Sequence, residues 1–471
     1  MDDVQYFLHT ENLALNHSIK IDPESPSASK LFNTETLRQI QGKQYGYQGR
    51  EWTEKAQLSP YYDASSLLLP FLTVPLYYLA LVTSINPVAV IGFFTNSVIL
   101  SLTSFIIFIT CMHFFRNGKI SFILATAYIL TTYVWSYNTG MMLRPLAGLL
   151  FTLGFYLIVS KNKNYFRATI AGSCIGLTIL ASIASIIVVP GLVLLGIFYF
   201  YKNKNQLVLF LGGFTIFGII QIILNKIRFN SYVDFGFGPH QTTQLHNHID
   251  GIIGYIFSLG WGIPFNAPLL ILFPVAIYLI WRKNKVISIF LVYCFSITWI
   301  FHGTEVSPIW SGYGGWGPRY FTVILPLLVI SIGFVLKEFN QSKLFKIGFV
   351  SLMVFGFLIS LMGKLVWYMY GYAYGWGVLK THLLNNAWEQ INYNIQYAPV
   401  SLHIMALSSS YIQNLKGPLS GGLAWGLAPC QLDFYIYCKF GIIPFIIIMM
   451  FMLVIGYLVI KELNKNKCVI K

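Results

Sequence analysis

Two adjacent carboxylates, Asp2 and Asp3, open the chain, and Tyr6-Phe7-Leu8, Leu13 and Leu15 follow in a short amphipathic helical pattern. Neighbouring carboxylates at a membrane surface can supply a general base, because the charge on one raises the proton affinity of the other. The same pair also reads as two solvated acids near a chain start, or as the N-cap of the helix after them. A second set lies in Glu305–Tyr320, where Trp310, Gly312, Gly314, Gly315, Trp316, Gly317 and Pro318 lead into Arg319 and Tyr320. Glycine lets backbone approach a ligand closely, tryptophan offers a flat face to a sugar ring or isoprenoid, and Arg319 can meet a phosphate in fork geometry. The alternative is an interfacial loop whose arginine snorkels to headgroups. Arg144, beside Pro145, is open to the same two readings. The third set is His240, His246 and His248, with Asp234 and Asp250 nearby. Their spacing is not that of a strong zinc signature, which favours loop polarity or hydrogen bonding to a substrate over metal ligation.

The elements that position these residues are membrane helices. The chain is 56% hydrophobic and 10% charged, the composition of an integral membrane protein. A pI near 9.4 in a soluble protein would raise nucleic acid as a partner. Here the basic residues punctuate apolar runs, which excludes that class. The connectors Phe114–Ser121, Ser160–Arg167, Lys202–Gln206, Arg282–Lys285 and Lys337–Lys346, with the tail from Lys461, hold 17 of the 31 Lys and Arg residues. Their acids are Glu338 and Glu462 alone, so the whole net charge of +15 sits in alternate connectors, which the positive-inside rule makes cytoplasmic.

A helix needs about 20 apolar residues to cross the bilayer. By that measure eleven spans are predicted: Val88–Phe115, Ile120–Tyr137, Met141–Val159, Ala168–Ser185, Ile187–Tyr201, Leu207–Leu224, Pro264–Trp281, Val286–Phe301, Tyr320–Leu336, Phe345–Tyr368 and Phe440–Ile460. The Ala168–Tyr201 stretch is too long for one span, and Pro190-Gly191 within it marks a tight hairpin. Ser65–Ile85 is apolar but interrupted by Pro70 and Pro75. It is read as a helix on the outer membrane surface, with Tyr61, Tyr62, Tyr77 and Tyr78 at headgroup depth. The organisation expected is an outward first loop over residues 1–87 and a transmembrane core over 88–368 carrying outward loops 226–262 and 303–318. An outward loop at 369–439 and a last helix with a basic cytoplasmic tail at 440–471 complete it. None of these loops is large enough to fold as an independent soluble domain. Asn16-His17-Ser18 is a formal glycosylation sequon set against the first acidic pair.

Taken in order, these pieces resemble the GT-C superfamily of polytopic glycosyltransferases that use polyprenyl- or dolichyl-phosphate sugars, the protein-mannosyltransferase-like group. Asp2-Asp3-Val4-Gln5-Tyr6-Phe7-Leu8 is similar to that family's opening acidic motif, and Tyr62–Leu79 to the surface helix of its first outer loop. Gly315-Trp316-Gly317-Pro318-Arg319-Tyr320 and Leu325-Pro326-Leu327-Leu328 resemble its later Gly-Pro-Arg-Tyr motif and the run after it. Phe257–Leu272 looks like its return to the membrane after the middle loop. The resemblance covers roughly residues 1–340. It implies an all-α polytopic fold and an inverting sugar transfer at the outer face of the plasma membrane. In that scheme Asp2 deprotonates the acceptor hydroxyl and Asp3 orients or tunes it. Arg319, with Arg144, neutralises the leaving lipid phosphate. Trp316 and Tyr320 shape the donor site, while Tyr6, Glu305, His240, His246 and His248 are candidates for substrate contact. The partners implied are membrane lipids, a lipid-linked sugar donor and a protein, lipid or glycan acceptor. No cofactor is implied for a monophosphate donor; a diphosphate donor would bring in a divalent metal.

This chain departs from the pattern twice. The family carries a transmembrane helix immediately before its acidic motif, whereas this sequence opens at the motif, so the expectation is either an upstream start or a truncated, non-catalytic homologue. The family also often places Lys or Arg where this chain reads Ala181-Ser182-Ile183-Ala184-Ser185. A carrier or flippase of lipid-linked sugars is the rival class. Predicted span interiors nearly free of charge, with polar residues gathered in outward loops, favour surface chemistry over passage. Cys111, Cys174 and Cys294 lie in or beside apolar runs, while Cys430 and Cys438 share an outward loop where an oxidising compartment permits a bond. Thiol labelling of intact cells checks that pair: reaction of Cys430 and Cys438 only after reduction is the outcome for a bond, and reaction without reductant removes it.

Overall fold

The computed structural model describes residues 2–19, 45–46, 50–51, 66–138, 140–160, 164–233, 249–304, 315–365, 391–408, 447 and 450. The architecture is helical, apart from a minimal antiparallel pair, Tyr45–Gly46 and Arg50–Glu51, with Tyr45 opposite Glu51. In chain order the helices are α1 Asp2–Asn16, α2 Leu68–Val82, α3 Pro87–Phe115, α4 Gly118–Leu130, α5 Leu143–Val159, α6 Tyr165–Ala181, α7 Val189–Phe200 and α8 Lys204–Phe229. They continue as α9 Asp250–Phe257, α10 Ile263–Asn266, α11 Phe273–Lys283, α12 Lys285–Gly303, α13 Leu325–Phe339, α14 Lys343–Leu365 and α15 Pro399–Ser408. Four stretches, Val90–Phe115, Lys204–Phe229, Lys285–Gly303 and Lys343–Lys364, are long and apolar enough to cross a membrane. Their buried shares are 11–44%, so much of their apolar surface faces outward, as it does when lipid is the solvent. The chain is a helical membrane protein.

Asparagine starts the helices at the basic connectors. Asn117, Asn164, Asn203 and Asn284 each accept a backbone N–H of the helix that follows, closing orphan donors at α4, α6, α8 and α12. The opposite end of the bundle is built differently. There the chain re-enters through 3-10 turns, Tyr133–Tyr137, Ile183–Ile187, Pro268–Leu272 and Arg319–Val323. Proline then sits in the first turn of α7, α11 and α13, where its missing N–H leaves no intrahelical bond unmade. The hairpin between α6 and α7 turns at Ser182–Val188, where the predicted spans Ala168–Ser185 and Ile187–Tyr201 meet, and Pro190 sits in the first turn of α7. Helix α8 runs on to Phe229, so its outward loop begins later than residue 226. The predicted last span, Phe440–Ile460, lies outside the described residues except at 447 and 450.

Both ends of α2 rest at the 3-10 end of the bundle. Ser66, just before it, bonds to Leu180 O at the C-terminus of α6, and the corner after it leads straight into α3. Gly140 N donates to Gly92 O at 2.8 Å, which puts the first turns of α3 at the same end as the start of α5. The short connector between α5 and α6 then brings the α6 C-terminus back to that end. Helix α1 lies on α2: Phe7 packs against Tyr77, the Thr10 and Thr73 hydroxyls share a bond of 2.8 Å, and Tyr77 Oη donates to Glu11 Oε1 at 3.0 Å. Burial, followed by the facing Glu11 carboxylate, pushes the Tyr77 hydroxyl pKa well up from its ordinary value.

The tightest helix pair is α6 against α8. A Cβ on Gly172 would collide with the Phe210 carbonyl, and one on Gly213 would lie 2.5 Å from Thr169 O. Gly172 and Gly176 form the small-xxx-small spacing that lets membrane helices approach backbone to backbone. A Cβ on Gly212, next to Gly213, would have nothing within 4 Å, so that position serves as an internal control. Gly213→Leu should destabilise the folded protein by about 1–3 kcal/mol through overpacking, while Gly212→Leu should be neutral. Thermal melts in detergent check this, and equal melts for the two variants would contradict the packing.

Candidate functional site

Three interrupted helix starts meet at the 3-10 end: residues 131–138, 258–272 and 315–323. An interruption inside an apolar bundle frees backbone groups that need new partners. Trp261 Nε1 donates to Gly315 O at 2.8 Å, and Tyr137 Oη donates to Trp316 O at 2.6 Å. The Asn266 amide donates to Gly260 O at 2.9 Å and Gly262 O at 3.0 Å, while Ser258 Oγ accepts the backbone N–H groups of Gly260 and Trp261. Gly317 has φ +67°, and a Cβ there would stand 2.7 Å from Tyr133. Its lack of a side chain is therefore required twice, by the left-handed backbone and by the close approach.

Immediately after this turn the chain presents Arg319 and Tyr320. The Tyr320 ring stacks on His302, with centroids 4.0 Å apart and planes 12° from parallel. The Arg144 guanidinium lies over the same ring at 4.4 Å, and that of Arg319 is 5.6 Å from its centroid. Arg319 is 8% exposed and Arg144 half-buried. Arg144 occupies the first turn of α5, and Arg319 begins the 3-10 turn that runs into α13. A cation at a helix N-terminus opposes the helix dipole, so this placement does not stabilise the helices themselves. It concentrates positive potential in one place.

Beneath Arg319, Trp316 is 2% exposed and packs on His403 of α15, with centroids 4.4 Å apart. His403 Nδ1 is 2.9 Å from Met362 O, and because a carbonyl only accepts, Nδ1 carries the proton. Gly363 makes room for the Trp316 ring, which a Cβ there would strike. Next to it Lys364 is fully buried and bonds to Asn138 Oδ1, joining the last turn of α14 to the chain entering α5.

The structure thus brings together Arg144, Trp316, Arg319 and Tyr320 from the sequence-predicted set. Tyr6 is buried in α1, away from solvent. Asp2 and Asp3 open α1, where carboxylates suit the helix dipole, but their side chains lie outside the described residues. Glu305, His240, His246 and His248 lie outside them too, as do Cys430 and Cys438. Among the described residues no group of three or more His, Cys, Asp or Glu side chains comes together to hold a metal. Sequence reasoning missed His302, Lys364, Asn138 and His403. Lys364 was the one legible signal, a lone cation near the end of an apolar run, and such a residue reads as functional by default in a membrane helix.

No family model, curated protein or solved structure matches this chain. Tyr137→Phe should cost about 1 kcal/mol by leaving the buried Trp316 carbonyl without that donor. The melting temperature of the purified protein checks it, and an unchanged value would mean that the hydroxyl does not hold the turn.

Proposed function

We propose that this chain is a GT-C-like membrane glycosyltransferase of about eleven spans, acting at the outer face of the plasma membrane. It moves a sugar from a polyprenyl- or dolichyl-phosphate donor to an acceptor hydroxyl. The observation that carries this reading is the convergence of Arg144 and Arg319 on Tyr320 at the end opposite the basic connectors. The charge pattern makes that end the outer one. The two cations, one buried and one half-buried, suit a phosphate: two planar forks beside an aromatic face, each at a helix start.

The chemistry assigned to the site is a single displacement. Asp2 takes the proton of the acceptor hydroxyl as its oxygen attacks the anomeric carbon. The bond from that carbon to the phosphate oxygen breaks on the opposite face, which inverts the configuration. The lipid phosphate leaves with one more negative charge than it carried in the donor, and Arg319 and Arg144 stabilise that charge as it develops in the transition state. Tyr320, held by His302, fixes the plane of both guanidiniums. The helix α2 lies on the outer membrane surface and supports α1, which begins at the acidic pair.

A carrier of lipid-linked sugars is the second reading, and the fully buried Lys364 is the observation that favours it, since an ionisable group inside a membrane protein often marks a path. Its place in the last turn of α14, beside the candidate site, fits the transferase equally well. A truncated, non-catalytic homologue is the remaining alternative. Membranes supplied with radiolabelled polyprenyl-phosphate sugars decide between them. Arg319→Ala should lower donor turnover by about 100-fold or more, and Asp2→Asn should abolish it, with both variants still inserted. Turnover unchanged in either variant removes that residue from the mechanism, and label that crosses the membrane uncleaved indicates the carrier.

A further inference from the structure

Away from the candidate site, α11 and α12 enclose a groove of about 320 Å³ that opens on the outside of the bundle. Pro274, Ile277, Tyr278 and Trp281 line it from α11, one stripe at helical spacing, and Ile289 and Val292 line it from α12. Ser288 also borders it, but its hydroxyl donates to Ile277 O at 3.2 Å and so presents no free donor to the groove. Tyr278, Trp281, Ile289 and Val292 are 42–60% exposed, so the lining faces whatever surrounds the bundle. From Pro274 to Trp281 the groove runs roughly 10 Å along the helix axis, and its apolar lining suits a hydrocarbon chain.

The groove ends at the connector Arg282-Lys283-Asn284-Lys285. Lys283 is 3.8 Å from Glu338 at the end of α13. Arg282 and Lys285 are exposed and have no carboxylate partner among the described residues. Lys285 Nζ lies 5.6 Å from the Trp281 ring centroid, which sets a cation directly beside the apolar mouth. The connector is held in place by Asn284, whose amide donates to Tyr199 Oη at 3.4 Å and whose side chain caps α12. An apolar groove lined by an interfacial tryptophan, with Lys285 beside that ring and the exposed Arg282 next after it in the chain, has the complementarity of an anionic lipid.

We propose that this groove binds an anionic phospholipid, with one acyl chain along α11 and α12 and the phosphate between Arg282 and Lys285. The proposal rests on the chain being a membrane protein and is independent of the transferase reading. Both cations stand at the end opposite Arg144 and Arg319, so the site is distinct from the candidate catalytic one.

The test uses the full chain in nanodiscs of phosphatidylglycerol and phosphatidylcholine in equal parts, with native mass spectrometry counting the lipids retained as collision energy rises. Phosphatidylglycerol should be retained over phosphatidylcholine by about ten-fold, the order that two interfacial cations supply. The double variant Arg282→Ala/Lys285→Ala should bring that ratio close to one, and Arg282→Lys/Lys285→Arg should keep it. Ile289→Trp fills the groove and leaves the cations in place; it should lower retention of both lipids. Preference surviving in the double alanine variant overturns the headgroup site, and retention unchanged in Ile289→Trp overturns the groove. Both substitutions are at exposed positions, and a melt of each variant confirms that it is folded. A chain that does not enter nanodiscs overturns the membrane reading and this proposal with it, whereas loss of sugar transfer has no bearing on it.

Discussion

A backbone interrupted inside an apolar bundle must find partners for the groups it frees, and this chain meets that constraint at one end. Unbroken helices need nothing beyond themselves in lipid, whereas every turn, bulge or 3-10 segment exposes donors and acceptors that lipid cannot satisfy. The interrupted starts at 131–138, 258–272 and 315–323 satisfy one another through Tyr137, Trp261, Ser258 and Asn266. Three aromatic or polar side chains thus hold the carbonyls of Gly315, Trp316 and Gly260 without water. The same network fixes the direction in which the chain leaves Gly317, and with it the position of Arg319.

The division of labour between the two ends follows from this. Asparagine caps at the basic connectors start α4, α6, α8 and α12 cleanly, with a side chain in place of the missing carbonyl. The proline starts of α7, α11 and α13 each follow a 3-10 turn, whereas α3 at the same end is capped by Asn86, and those turns bring backbone, aromatic rings and cations to one locality. Where a cation sits against a helix dipole, as Arg144 does, the local structure gains nothing from the charge. Such a placement is understood when a second, negative group shares the site, which is the role the proposed donor phosphate fills.

Much of the topology was legible because its cause is local. The helices at Val90–Phe115 and Lys343–Lys364 followed from apolar length alone, since a run of that length needs no partner outside itself to be helical in lipid. The break after α6 falls where the predicted spans Ala168–Ser185 and Ile187–Tyr201 meet, within Ser182–Val188, while Pro190 belongs to the first turn of α7. Of the site, Arg144, Trp316, Arg319 and Tyr320 were visible as polar or aromatic residues at span ends. His302, Asn138 and His403 were not, because their importance comes from contacts between separate segments: Asn138 meets Lys364 across 226 residues, and His403 meets Trp316. The histidines of 240–248 and Glu305 carried a signal in the sequence but lie outside the described residues.

The central claim is that the face formed by Arg144, Arg319 and Tyr320 receives the phosphate of a lipid-linked sugar. Photo-crosslinking tests it most directly: a polyprenyl phosphate bearing a diazirine next to the phosphate is added to the full chain in membranes, irradiated, and the labelled peptides are sequenced. The account predicts label in the peptides containing 141–148 and 315–323, with competition by unlabelled polyprenyl phosphate. Label confined to other segments, or label in these peptides that excess polyprenyl phosphate does not displace, would contradict it.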